Sequence, residues 1–201
     1  MIAILDYDAG NIKSVEKALQ YLGADVILTR DRDVILNADK AILPGVGSFG
    51  DAMHKIRHYG LEEVIREFVA TGKPFLGICL GLQVLFDESE ESPGVKGLGI
   101  LKGKVKRIPG GPSCPVPQIG WNDLKIKEGA KLFKGLPPRP YVYFVHSYYL
   151  EALDRDIVAA RTNYSVDIDA SCESKNVFAC QFHPEKSSEV GLQILKNFIN
   201  L

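Results

Sequence analysis

The stretch Pro74-Phe75-Leu76-Gly77-Ile78-Cys79-Leu80-Gly81-Leu82-Gln83 decides how the chain is read. It begins as a short apolar run, the pattern of a buried strand, and a cysteine framed by glycines follows at once. A G-x-nucleophile-x-G sequence between strand and helix is a nucleophile elbow, whose glycines permit a tight, strained turn that leaves the nucleophile exposed above a sheet. At a helix start the Cys79 thiol would feel the positive end of the macrodipole, which favours thiolate. The next N–H, that of Leu80, would then point toward an oxyanion formed on an attacked carbonyl. The competing reading, a buried core cysteine, gives the two glycines no purpose.

Upstream of the elbow, strand and helix signals alternate. Ile2 to Leu5 is apolar, and Gly10 and Asn11 open a pattern in which Ile12, Val15, Leu19 and Leu22 recur at helical spacing until Gly23 stops it. Val26 to Leu28 and Ala41 to Leu43 read as further buried strands, with helices around 51–58 and 61–70. Such alternation predicts a parallel sheet covered by helices on both faces. After residue 92 Gly and Pro become frequent, and β-rich segments are predicted around 98–108, 116–126, 141–150, 157–161 and 166–181. With no flexible linker between the parts, these form an antiparallel or mixed extension rather than a second domain. A helix from about 187 closes the pattern, with Val190, Ile194, Leu195 and Phe198 as its apolar stripe. The expectation is one α/β domain over residues 1–201.

Composition narrows the function. The 201 residues carry 24 Lys+Arg against 25 Asp+Glu, a net charge of −1, so no basic face for nucleic acid is expected. At 46% hydrophobic and 24% charged residues, global disorder is excluded. No apolar run approaches the roughly 18 residues of a membrane helix. The opening MIAILDYDAGN lacks the basic n-region of a signal peptide. The cysteines at 79, 114, 172 and 180 form no CxxC pair, so the expected setting is a reducing cytoplasm.

A thiolate nucleophile needs a base. His54 and His58 lie four apart on a predicted helix, a metal-binding spacing, but Lys55 replaces the Glu of the zinc-protease signature, and a solvated face is expected. His146, within the aromatic run Tyr143 to Tyr148, could pack or bind ligand. His183, in Gln181-Phe182-His183-Pro184-Glu185, ends a strand, and Glu185 can fold back to orient its ring, completing a Cys–His–Glu set. Taken alone, His-Pro-Glu also reads as a capped helix start. The glycine-rich Leu43-Pro44-Gly45-Val46-Gly47-Ser48-Phe49-Gly50 could present N–H groups to an oxyanion or a phosphate, or be merely a tight turn. It matches neither a P-loop nor GxGxxG. Cys180 and His183 have CxxH spacing without a second pair, so no metal is expected.

The glycine loop, the GxCxGxQ elbow (Gly77, Cys79, Gly81, Gln83) and the His-Pro-Glu box, in this order, resemble the class I, or triad, glutamine amidotransferases. Pro44 to Phe49, Ser92 to Leu98, Gly120-Trp121-Asn122, Tyr143 to Tyr148 and His183 to Ser187 cover the chain nearly end to end and are similar to the histidine-biosynthesis branch of that family. The resemblance implies a flavodoxin-like α/β fold and hydrolysis of L-glutamine through a thioester on Cys79, with His183 as base and Glu185 as its orienter. It implies an oxyanion hole from Leu80 and the Gly45–Val46 peptide, after a rearrangement of that loop. Glutamine would be held by Gly47, Gln83, Glu91, Ser147 and Tyr148, although Asp87 to Glu91 also reads as a solvated acidic run. It further implies a (β/α)₈-barrel cyclase partner that receives the ammonia, no cofactor and no metal, with Asn11, Asn122 and Lys186 at the interface or coupling the two sites. Read blandly, those three are a helix N-cap, a turn asparagine and a surface lysine. The branch commonly has His and Met before Gly-Trp-Asn, where this chain has Gln118 and Ile119.

Three alternatives make different predictions. A triad glutaminase serving another synthase would ignore a histidine-pathway cyclase. A flavodoxin-like binding protein with a redox-sensing cysteine would need neither His183 nor Glu185. A cysteine peptidase of similar fold would leave Gln83 and the His-Pro-Glu box unexplained.

Overall fold

The computed structural model describes residues 1–201. Its first half alternates as the apolar pattern predicts: β1 (Ile2–Leu5), α1 (Ile12–Tyr21), β2 (Val26–Thr29), α2 (Arg32–Asn37), β3 (Lys40–Leu43), α3 (Phe49–His58), α4 (Leu61–Ala70), β4 (Phe75–Ile78) and α5 (Leu80–Val84). The second half is mostly extended: β5 (Glu88–Ser89), β6 (Gly103–Arg107), β7 (Gln118–Asp123), β8 (Lys125–Ile126), β9 (Tyr141–His146), β10 (Tyr148–Ala152), β11 (Val158–Tyr164), β12 (Val166–Ser174) and β13 (Val177–Cys180), closed by α6 (Ser188–Ile199).

Eight strands form the central sheet in the order β2-β1-β3-β4-β13-β12-β11-β8. The run from β2 to β13 is parallel, and β12, β11 and β8 each pair antiparallel with the neighbour before them. Strand alternation divides the core in two. Ala3, Leu5, Phe75 and Ala179 face the side covered by α2, α3 and α4. Ile2, Ile4, Leu76, Ile78 and Phe178 face the side covered by α1 and α6. The stripe on α6 buries Ile194, Leu195 and Phe198 completely, worth about 1.5–3 kcal/mol each. Two smaller sheets, β10-β6-β5 and the ribbon β7-β9, flank the main one.

Several boundaries differ from the sequence expectation. Helix α2 was not expected: it is short, and its start is fixed by Asp31, whose carboxylate accepts from the Val34 N–H at 3.0 Å. The segment predicted at 141–150 breaks at Ser147 because its halves join different sheets, β9 pairing with β7 and β10 with β6. Only Gly103–Arg107 of the 98–108 segment is strand, and 166–181 is a hairpin turning at Lys175 and Asn176.

Parallel sheets with helices on both faces offer a crevice beyond the carboxyl ends of their strands. Here the ends of β1, β3, β4 and β13 lie side by side, so the segments after residues 5, 43, 78 and 180 converge.

Candidate active site

Cys79 follows β4 directly, with φ 55° and ψ −107°, a conformation that strains any residue with a side chain. The flanking glycines are matters of space. A Cβ on Gly77 would come within 2.6 Å of the Gly81 carbonyl oxygen, and one on Gly81 would collide with the carbonyl of Leu43 on β3. The elbow thus presses α5 against the sheet, which is why the sequence places small residues on both sides of the nucleophile. Helix α5, which starts directly after Cys79, spans only five residues.

Those side chains arrive from β13. The pairing of Cys180 with Ile78 sets the ends of β13 and β4 level, so His183 meets Cys79 across a separation of more than a hundred residues. Its backbone is pinned by its own N–H to the Tyr143 carbonyl at 3.0 Å and by the Ser187 hydroxyl, which donates to its carbonyl at 2.6 Å. Nδ1 lies 2.7 Å from Glu185 Oε1, which leaves Nε2 for the sulfur. Burial opposes a charge on this ring, but the hydrogen bonds it donates to Cys79 and Glu185, together with their charges, outweigh it and raise its pKa to about 10. The imidazole is therefore a ring that keeps its proton while facing the Cys79 sulfur. Glu185 Oε1 also accepts from Asn11 Nδ2 at 2.8 Å, whereas the buried Oε2 has no partner. Asn11 stands at the start of α1, in the left-handed region (φ 65°), and its side chain caps nothing. Its amide serves the Glu185 carboxylate instead of the helix.

The loop after β3 lies over the elbow. Buried Tyr7 donates its hydroxyl to the Pro44 carbonyl at 2.8 Å, and Gly45 packs between that hydroxyl and Leu80. The Leu80 N–H donates to the Gly45 carbonyl at 3.3 Å. The two donor groups expected of an oxyanion hole are thus not aimed inward together: the Gly45–Val46 peptide offers Leu80 its carbonyl oxygen rather than its N–H. Val46 is half-exposed, with Cγ2 against Gly10, where a Cβ would approach to 2.8 Å. Gly47, with φ 106°, makes the turn that follows.

A cleft of ≈ 260 Å³ opens over Cys79 and is lined also by Gly47, Gln83, Glu91, Ser147 and Tyr148, the residues expected from sequence to hold substrate. Glu91 is more than a solvated acid, since Oε2 accepts from the Phe49 N–H at the start of α3 at 2.8 Å. Its neighbours are also engaged, Asp87 with Lys102, Glu88 with Lys96 and Lys104, and Glu90 with the Arg107 N–H. Gln83 donates through Nε2 to the Tyr148 carbonyl at 3.2 Å and to Gln181 Oε1 at 3.0 Å. His146 lines the cleft with its ring buried. Nδ1 lies 2.8 Å from the Tyr148 carbonyl and Nε2 2.8 Å from the Gln118 amide, and burial lowers its pKa to about 4, so it is neutral.

The interface candidates divide. Asn11 and Lys186 border the triad, Lys186 exposed at the cleft. Asn122 lies on β7, bonded to the Asn163 carbonyl at 2.9 Å, away from the nucleophile. That ribbon carries exposed Ile119, Trp121 and Tyr141. Sequence reasoning passed over Tyr7 and Gln181. Gln181 had a legible signal, since in an extended segment it projects to the same side as His183, two residues on.

Elsewhere the chemistry thins. His54 and His58 stack on α3 with ring centroids 6.3 Å apart, and no three His, Cys, Asp or Glu side chains are grouped to hold a metal ion. Cys172 and Cys180 are buried thiols pushed upward by desolvation, and Cys114 sits in the loop before β7. A larger depression of ≈ 720 Å³, between Lys104, Tyr149 and Arg155, is lined by no cysteine, serine, threonine or histidine. No helix is long and apolar enough to cross a membrane.

Comparison with known proteins agrees with this geometry. The family described as glutamine amidotransferase class-I matches residues 3–201. Imidazole glycerol phosphate synthase subunit HisH of Methanothermobacter thermautotrophicus is 51% identical over 201 residues, covering 100% of this chain and 98% of that protein. The subunit of the same name from Caldanaerobacter subterraneus subsp. tengcongensis is 50% identical over 198 residues, covering 98% and 97%. Among solved structures, a glutamine amidotransferase superimposes with a TM-score of 0.78 at 23% identity, covering 99% of this chain and 97% of that one. PurLQS from Thermotoga maritima gives 0.73 at 22%, covering 99% and 97%. The elbow, the fold and the full-length matches lead to one conclusion: the chain belongs to the class-I glutamine amidotransferases, among the HisH subunits of imidazole glycerol phosphate synthase.

Proposed function

We propose that this chain is the glutaminase subunit of an imidazole glycerol phosphate synthase, a single catalytic domain over residues 1–201 acting in the cytoplasm. The observation that carries the chemistry is the alignment of Cys79, His183 and Glu185 at the ends of β4 and β13, beneath a cleft of amino-acid size. Cys79 Sγ attacks the side-chain amide carbon of glutamine, with the thiol proton held on His183. The resulting oxyanion requires the Leu80 N–H, which must leave the Gly45 carbonyl, and an inward N–H of the Gly45–Val46 peptide. Collapse breaks the C–N bond as His183 protonates the departing ammonia, leaving a glutamyl thioester. His183 then takes a proton from water, which attacks the thioester and releases glutamate and the thiol.

Glu185 keeps the ring oriented, Asn11 steadies Glu185, and Gly47, Gln83, Glu91, Ser147 and Tyr148 hold the substrate. Ammonia freed into water at neutral pH is protonated and no longer a nucleophile, so it passes to a (β/α)₈-barrel cyclase subunit. That partner forms imidazole glycerol phosphate and an aminoimidazole carboxamide ribonucleotide for histidine biosynthesis. The exposed apolar ribbon β7–β9, Asn11 beside Glu185 and the cleft-side Lys186 suit its docking, with Asn122 on the same ribbon. No cofactor is required.

The test is ammonia release from glutamine by the purified chain, alone and with a cyclase subunit and its nucleotide acceptor, with Cys79→Ala as blank. Slow release alone, a strong rise with both additions and none in the mutant are expected. Turnover indifferent to the cyclase would refute the pathway, and none under any condition would refute the glutaminase.

A further inference from the structure

We propose that Gln181 is a further member of the catalytic machinery, its side-chain amide donating a hydrogen bond to the Cys79 sulfur and tying the nucleophile to Gln83. The inference rests on the nucleophilic role proposed for Cys79.

Gln181 is completely buried, and a buried primary amide is costly unless its polar atoms find partners. The oxygen and nitrogen of such a group are easily interchanged, but here the surroundings fix them. The Tyr148 carbonyl can only accept, so Gln83 turns its NH₂ toward it, at 3.2 Å. The same nitrogen lies 3.0 Å from the Gln181 amide, which must answer with its oxygen. The nitrogen of Gln181 is therefore the atom 3.7 Å from Cys79 Sγ, with an N–H to give. A backbone carbonyl and two side-chain amides thus form a chain that ends in a donor at the nucleophile. The main chain agrees: the Cys79 N–H donates to the Cys180 carbonyl at 2.8 Å, and the Gln181 N–H to the Ala170 carbonyl at 2.9 Å, holding both residues in register.

A donor bonds an anionic sulfur more strongly than a neutral one, so Gln181 favours the thiolate and fixes its direction of attack. His183 supplies the proton acceptor on one side, and Gln181 supplies a neutral dipole that never gives up its proton. Gln83 links this dipole to the cleft.

The experiment follows carboxamidomethylation of Cys79 by iodoacetamide between pH 6 and 9, read by mass spectrometry on the Cys79 peptide. It requires no glutamine, so a failed glutaminase reading would show separately as absent ammonia release. The ionisable groups facing the sulfur are His183 with Glu185 behind it, Tyr7 and Cys180, and around the cleft Glu91, His146 and Lys186. Burial pushes Tyr7 and Cys180 upward and His146 down to about 4, which keeps these three from titrating in the window. Gln181→Met keeps the volume and removes the donor. The expected result is alkylation about tenfold slower at neutral pH, with the pH–rate profile displaced to higher pH. Gln83→Met, which frees the Gln181 amide without touching the sulfur, should displace the profile in the same direction by less. A folded Gln181→Met with the wild-type profile overturns the proposal. Should Gln181→Met fail to give the native circular dichroism, Gln83→Met decides, and a wild-type profile there overturns it equally.

Discussion

Gly45 gives the sharpest test of how the loop after β3 is packed. It is not among the residues with positive φ, so alanine there meets no backbone objection, only a spatial one. The added Cβ would collide with the Tyr7 hydroxyl, and its next neighbours would be Leu80 Cβ at 3.2 Å and Tyr7 Cζ at 3.3 Å. Gly45→Ala therefore forces the Tyr7 ring aside, breaking its bond to Pro44 as well. Overpacking of about 1–3 kcal/mol plus the lost bond of about 1 kcal/mol gives a predicted destabilisation of about 2–4 kcal/mol. Tyr7→Phe alone leaves the Pro44 carbonyl unpaired, costing about 1–2 kcal/mol. In the double variant the methyl occupies the space vacated by the hydroxyl, and the remaining contacts need a shift of only a few tenths of an ångström. The pair should then cost little more than Tyr7→Phe alone, a favourable coupling of nearly the whole cost of Gly45→Ala by itself, about 2–4 kcal/mol. Urea unfolding followed by far-UV circular dichroism measures all three, with ammonia release showing whether the loop still works. Additive effects, or a Gly45→Ala variant as stable as wild type, would refute the reasoning.

Three other outcomes are expected. The His183 pKa of about 10 in the folded chain exceeds its 6.5 reference, so the charged ring adds stability that is complete below about pH 6.5 and lost as pH rises toward 10. Glu185→Gln removes one of the groups that hold this proton, so the alkaline limit of turnover should move to lower pH, and unchanged pH profiles would contradict the geometry. Cys79→Gly should raise the unfolding midpoint relative to Cys79→Ala, because about 1–3 kcal/mol of backbone strain exceeds the entropic cost of glycine, and a lower midpoint would mean the elbow is unstrained. Asn11→Ala should lower kcat several-fold with little change in KM, since it loosens Glu185 without touching the cleft; a change in KM alone would place Asn11 elsewhere in the mechanism.

The parts legible in the sequence are those whose chemistry is local. Gly77 and Gly81 announce the elbow because only a side chain-free residue fits against the Leu43 and Gly81 carbonyls, and the apolar strands announce the parallel sheet because both their faces are covered. Asn11 was less legible: an asparagine before a helix reads as a cap, and only its left-handed backbone and distant carboxylate partner reveal the other use. Tyr7 and Gln181 act on residues 37 and 102 positions away, which no local pattern encodes. The break at Ser147 was hidden because residues 141–150 are uniformly β-prone, and sheet membership is decided by partners rather than propensity.

The position of β13 also bears on how the chain acquires its activity. Strand β13, which follows the other twelve strands in the chain, is inserted between β4 and β12, not added at an edge. Until it arrives, β4 carries Cys79 on an open border, with neither His183 nor Glu185 within reach. Pairing of Val177 with Phe75, a contact between residues about half the chain apart, closes the sheet and brings His183 and Glu185 to Cys79 in one event. A nascent or partly unfolded chain therefore holds Cys79 apart from its imidazole and carboxylate partners until the sheet is complete.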